Sequence, residues 1–261
     1  MKAITGVFGS HVDAQRALDQ FRGLQLPEDR LTLLTPGGTH ETTVPTVAAE
    51  QPGMGSAIGA LVGTAAGISG GPLLVAALIP GVGPITAVGL LGGALLAAAG
   101  AGVGAVAGGK LENAVTQGLP EDELFVYEDA LRKGRSVMIA LASDDVEASI
   151  FRELLKAEGA ESVDAAREKW WIGLRSAEQE HYANQGRKFG NDEKFYRLGF
   201  ESALHARTRC KEYDQTLAEM SVEIEALECR YPGADLAEPF RKGYERGRDY
   251  YQQLCKESKA A

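Results

Sequence analysis

Between Gln51 and Gly109 the chain has no aspartate, glutamate, lysine, arginine or histidine, while the segments on either side are rich in charge. So long a charge-free run does not fit an ordinary monomeric core, because the flanking segments are too small to wrap it. Cysteine is scarce: Cys210, Cys229 and Cys255 are the full set. An odd number with no CxxC and no paired spacing argues against a disulfide framework and fits a reducing compartment. Basic residues are outnumbered, 27 Lys and Arg against 36 Asp and Glu, for a net charge of -9. That balance argues against nucleic acid as a partner and against electrostatic adhesion to anionic lipid. Met1-Lys2-Ala3-Ile4 enters a strand-like run without the layout of a signal peptide. No Walker A pattern occurs, and His11, His40, His181 and His205 have no metal-ligand spacing to one another or to the cysteines. Neither a catalytic residue, a metal nor a cofactor is expected.

What is present reads as alternating strands and helices. Ala3–Phe8 leans towards a strand. Ser10 then offers an N-cap, and Val12, Ala14, Ala17, Leu18 and Phe21 make the apolar stripe of a helix ending near Gly23. Leu31–Thr35 reads as a second strand, closed by Pro36-Gly37-Gly38. Pro120 opens a further helix with Glu121, Asp122 and Glu123 in its first turn, where the helix dipole favours acids. Ser136–Leu141 predicts a third strand, Ser143–Ala157 a helix with Asp144, Asp145 and Glu147 at its start, and Glu161–Asp164 a weak fourth strand. Two strand-helix-strand halves predict an α+β fold with a ferredoxin-like βαββαβ sheet, split between residues 1–35 and 136–175. Residues 36–53 read as a linker, 54–109 as an inserted hairpin, 110–135 as a connecting helix and 176–261 as a small all-α C-terminal domain.

The insertion carries a glycine zipper. Gly55, Gly59, Gly63, Gly67 and Gly71 recur every fourth residue, and Gly89, Gly93, Gly100, Gly104 and Gly108 repeat the device. Such positions share one helical stripe and let another backbone approach closely, a driving contact between helices in a bilayer. Pro80, Gly81, Val82, Gly83 and Pro84 sit between the two halves as a turn. Met54–Ile79 and Ile85–Gly109 would each make about 38 Å of helix against a hydrocarbon core of about 30 Å. The expectation is a transmembrane helical hairpin that enters the bilayer as a pair; the alternative is an apolar hairpin buried by neighbouring subunits.

Other patterns carry less. Gly102-Val103-Gly104-Ala105-Val106-Ala107 fits the GxGxxA form of the dinucleotide fingerprint, but it follows no predicted strand. His205 and Cys210 fall on one predicted helix, five residues apart, and so diverge around it. Trp170-Trp171 suits either an interfacial anchor or packing against the C-terminal helices. Tyr196-Arg197-Leu198-Gly199-Phe200-Glu201 returns as Phe240-Arg241-Lys242-Gly243-Tyr244-Glu245, with Tyr231-Pro232-Gly233 breaking the helices between. Gly199 with Ala203, and Gly243 with Gly247, give each repeat a small-residue notch. The two repeat helices could cross each other there, or receive helices from a neighbouring subunit.

The opening strand and helix, the zipper block with Ile79-Pro80-Gly81-Val82-Gly83-Pro84, and Gly118-Leu119-Pro120-Glu121-Asp122-Glu123 followed by Tyr127-Glu128 and Arg132-Lys133-Gly134 resemble bacterial YflT-like heat-induced general stress proteins. The resemblance covers roughly residues 1–175 and leaves the C-terminal domain outside. It implies a bacterial, stress-associated, non-enzymatic protein and brings no catalytic residues. Together these readings predict a membrane-associated structural protein that self-assembles as a scaffold, ring or shell, its partners being itself and the lipid bilayer. Its place would be the bacterial inner membrane with both termini cytoplasmic, or alternatively a large cytoplasmic assembly. An oligomeric channel and a ligand-sensing ferredoxin-like module are the competing functions.

Overall fold

The structure, a computed structural model, describes residues 1–27, 30–36, 74–79, 83–88, 121–184 and 188–260. Two compact units share the chain: Met1–Pro120 with Tyr127–Val163, and Glu121–Val126 with Asp164–Ala261.

The first unit is built on a sheet. Strand β1 (Lys2–Phe8) leads into helix α1 (His11–Gly23), whose N-cap is Ser10 with its hydroxyl accepting from the Val12 N–H at 3.2 Å. Ala14, Ala17, Leu18 and Phe21 are its buried residues, the i, i+3, i+4, i+7 stripe of an amphipathic helix. Strands β2 (Leu31–Pro36), β3 (Leu74–Ile79), β4 (Gly83–Val88) and β5 (Ser136–Ala142) follow, with a 3-10 turn at Glu121–Glu123 and helix α2 (Leu124–Arg132) before β5. Helix α3 (Asp145–Ala157) is capped by Asp144, whose carboxylate accepts from the Glu147 N–H at 2.9 Å, and the short β6 (Glu161–Ser162) ends the unit's strands. The strand order is β3-β4-β2-β5-β1-β6, and each pairing is antiparallel.

Register fixes which residues share a face. Ile4 pairs with Ala140 and Ala140 with Leu31; Met138 pairs with Leu33. These residues form one core with Phe8, Leu18, Phe21, Phe151 and Leu155, where the Phe21 and Phe151 rings meet edge to face at 5.0 Å. All seven residues of β5 are buried, and after Ser136 the other six, Val137–Ala142, form an unbroken apolar run in the interior of the sheet. On the other face the Tyr127 hydroxyl lies 3.0 Å from Thr5 Oγ1.

Two expectations change here. Residues 74–79 and 83–88 are strands, not parts of two long helices. Pro72, Pro80 and Pro84 punctuate this stretch, and Val75, Ile79, Ile85, Thr86 and Val88 are β-branched, so both signals favour a ladder. Pro84 costs no bond to β2, because that ladder runs only from Leu33↔Val88 to Pro36↔Ile85. No described helix is long and apolar enough to cross a membrane. The transmembrane hairpin is therefore withdrawn, and with it the inner-membrane placement and the interfacial role of the tryptophans.

The second unit is helical: α4 (Val163–Ala183), α5 (Phe189–Ser202), α6 (Tyr213–Arg230) and α7 (Ala237–Ala260). The expected strand Glu161–Asp164 stops at Ser162, since Val163 and Asp164 already begin α4. Gly233, with φ +81°, makes the break between α6 and α7 that Tyr231-Pro232-Gly233 announced.

Candidate functional site

The expected site residues divide by where they fall. Gly55, Gly59, Gly63, Gly67, Gly71, Gly89, Gly93, Gly100, Gly104 and Gly108 lie outside the described residues, as do Pro80, Gly81, Val82 and the GxGxxA segment 102–107. Gly83 and Pro84 are described and begin β4. Among the described residues, no group of three or more His, Cys, Asp and Glu could hold a metal ion. The acids at the helix starts are otherwise engaged: Asp144 caps α3, Asp145 pairs with Lys2, and Asp122 faces Arg167 at 3.5 Å. His205 and Cys210 do not share a helix, because α5 ends at Ser202 and Cys210 has φ +65° in the turns that follow. Burial holds His205 down to about pH 4 against a usual 6.5, Asp122 opposing the shift, and its ring stacks on Phe125 at 6.4 Å.

Trp170 and Trp171 are 3% and 1% exposed and sit in an aromatic core. Trp170 meets Phe125 at 4.8 Å, and both indoles meet Phe200 at 5.9 Å. The repeat organises the rest of this core. A Cβ placed on Gly199 would stand 1.9 Å from the Phe240 carbonyl oxygen, and one on Gly243 would stand 1.9 Å from that of Tyr196. The helices α5 and α7 thus cross backbone to backbone within the chain, the intramolecular alternative of the two. Their matched Arg and Glu form matched ion pairs, Arg197 to Glu201 at 2.7 Å and Arg241 to Glu245 at 2.9 Å.

Beside the crossing lies a fully buried carboxylate, Glu178 on α4, 1% exposed. Arg246 of α7 donates to it from Nε at 3.0 and 3.2 Å and from Nη2 at 2.9 Å, and the Tyr196 hydroxyl donates at 2.7 Å. Both carboxylate oxygens are satisfied, which is what lets a charge stay buried. Burial, then the adjacent Glu178, raises the Tyr196 phenol far above its usual range. This network ties together three helices, with Glu178 and Tyr196 buried and the Arg246 side chain partly exposed.

An accessible site lies instead between α5 and α6. It is a groove of about 480 Å³ lined by Gly190, Glu193, Lys194, Arg197, Leu198, Leu227, Arg230 and Tyr231. Leu198 and Leu227 are half-buried and pack against the core cluster beneath. Three cations stand around them. Arg197 is fixed by Glu168 at 2.6 Å and Glu201 at 2.7 Å. Lys194 Nζ lies 3.3 Å from the centre of the Tyr231 ring, and Arg230 is exposed on the last turn of α6. Glu193 is the single carboxylate among the lining residues, and it is already held by Arg175 at 2.6 and 2.7 Å and by the Trp171 indole N–H at 3.1 Å. The Arg175 bond keeps Glu193 below the usual carboxylate range, and Lys194 does the same for the Tyr231 phenol.

Nothing in the linear sequence singled out this groove. Lys194 and Arg230 come from separate helices, and each taken alone is one more surface cation. No family model matches the chain, and no curated protein or solved structure does either.

Proposed function

We propose that this chain is a non-enzymatic, stress-related structural protein that self-assembles through its charge-free glycine- and alanine-rich segment. One observation carries the reading. The two described strands of that segment extend the sheet outward from β2, and β3 stands at one end of the strand order. Its six residues, Leu74-Val75-Ala76-Ala77-Leu78-Ile79, are all apolar. An apolar strand in that position is a template for pairing with a second copy, and it carries none of the lysine or internal proline that usually blunts such an edge. The stress-related part rests on the motifs within residues 1–175 that resemble those of bacterial heat-induced stress proteins. The order β2-β5-β1-β6, with α1 and α3 packed on one core, supports a ferredoxin-like reading of the sheet that carries the segment.

Light scattering coupled to size exclusion tests the proposal on the full chain. The parent should run as a defined oligomer, and Val75→Lys with Ala77→Lys should reduce its mass while far-ultraviolet circular dichroism is retained. A parent that is monomeric at high concentration defeats the reading.

A further inference from the structure

The groove between α5 and α6 has the makings of a ligand site that the assembly reading does not use. Its floor is apolar, Leu198 and Leu227, and its rim is cationic. The chain has 36 acids for 27 bases, so a cation on its surface has acids in excess to pair with. Even so, neither Lys194 nor Arg230 is paired with a carboxylate among the described residues, and both line the same groove. Arg197 adds a fixed donor, its charge already balanced by Glu168 and Glu201. Its Nε and Nη1 are bonded to Glu201 and Glu168, leaving Nη2 free to donate. Glu193, which would otherwise repel an anion, is neutralised by Arg175. A volume of about 480 Å³ falls in the range of small-molecule sites, and an apolar surface with a few convergent polar groups is their usual makeup.

We propose that this groove binds a small organic anion: an apolar body that lies on Leu198 and Leu227 and ends in a carboxylate or phosphate held by Lys194, Arg230 and the free nitrogen of Arg197. An apolar molecule without charge would leave the cations unused, and a bare inorganic anion would leave the leucines wet. The ligand is amphipathic for that reason. Long-chain bodies exceed the groove, so the fit is to a short chain or a single ring.

Isothermal titration of the full chain at low salt, with octanoate and octyl phosphate as probes, tests the assignment. Octanol and inorganic phosphate supply the two halves of the ligand separately. Saturable binding of octanoate or octyl phosphate, and of neither control at the same concentrations, is the expected result, and whichever head group binds tighter identifies the anion. Lys194→Glu with Arg230→Glu should weaken that binding roughly tenfold or more, since each charge reversed replaces an attraction by a repulsion. Added salt should weaken it in the parent. The proposal is overturned if the parent does not saturate, if octanol binds equally well, or if the double variant binds as the parent does. If the double variant loses its helical circular dichroism, Arg230→Gln at its exposed position carries the same comparison.

Discussion

Gly199 and Gly243 are exchange partners in one helix crossing: each lies where the other repeat's backbone carbonyl, at Phe240 and Tyr196, comes closest. Phe240 stands in its repeat where Tyr196 stands in the first, so the two contacts are the same contact seen from either helix. Gly247 extends the seam, since a Cβ there would stand 2.4 Å from the Phe200 carbonyl oxygen. At such spacing only a hydrogen atom fits, and the Cα–H groups can face the opposing carbonyls.

Substitution at this seam should therefore be costly even with alanine. Gly243→Ala is expected to destabilise the helical unit by about 1–3 kcal/mol or more, because the clash is with backbone that cannot rotate away. Gly173→Ala is the control. Gly173 sits inside α4 with nothing within 4 Å of a Cβ, so alanine there should raise stability by roughly 0.5–1 kcal/mol. Thermal melts of both variants should shift in opposite directions.

Removing the buried carboxylate should also be severe. Glu178→Leu leaves buried Tyr196 and partly exposed Arg246 without their shared acceptor; breaking a fully buried pair typically costs about 3–5 kcal/mol, and solvent at Arg246 puts the expected loss at or below about 3 kcal/mol. Adding Arg246→Met to that variant should recover part of the loss, as measured by urea denaturation. No recovery would show that the pair is not a coupled unit.

In the sheet unit, Glu147 accepts from the Arg30 guanidinium and from the Ser143 N–H at 2.6 Å and hydroxyl at 2.7 Å. The Arg30 bond, then those from Ser143, lowers its pKa from 4.5 to about 2. The sign follows from that depression. The contribution is complete above about pH 4.5 and is lost as pH falls towards 2, where the folded state also takes up the proton. Glu147→Gln should be less stable than the parent at neutral pH, and the difference should shrink across that window in denaturation curves.

His205 titrates in a separate window. Its folded pKa of about 4 lies below the usual 6.5, so between these values the unfolded chain binds the extra proton and folding weakens as pH drops. His205→Phe, which keeps a ring against Phe125, should flatten this portion of the stability profile. An unchanged slope between pH 4 and 6.5 would mean that the imidazole is not held neutral by burial.

The sequence by itself determined the local elements wherever a side chain decides within its own turn of chain. Ser10 caps α1, Gly233 breaks α6 from α7, and the stripe Ala14, Ala17, Leu18, Phe21 faces the core. The notches at Gly199 and Gly243 were equally legible, because small residues at helical spacing signal close approach whatever the partner. Which partner filled them was decided only by the tertiary structure, through the carbonyls of Tyr196 and Phe240. The strands Leu74–Ile79 and Gly83–Val88 show the same limit more sharply. A short apolar run has no period of its own to separate strand from helix. Gly83–Val88 is a strand through its ladder with Leu33–Pro36, far away in the chain, and Leu74–Ile79 through its ladder with Gly83–Val88. Lys194 with Arg230, and Glu178 with Arg246, belong to that second class as well. Each pair joins separate helices, and only packing sets the distance between charges that the sequence leaves unrelated.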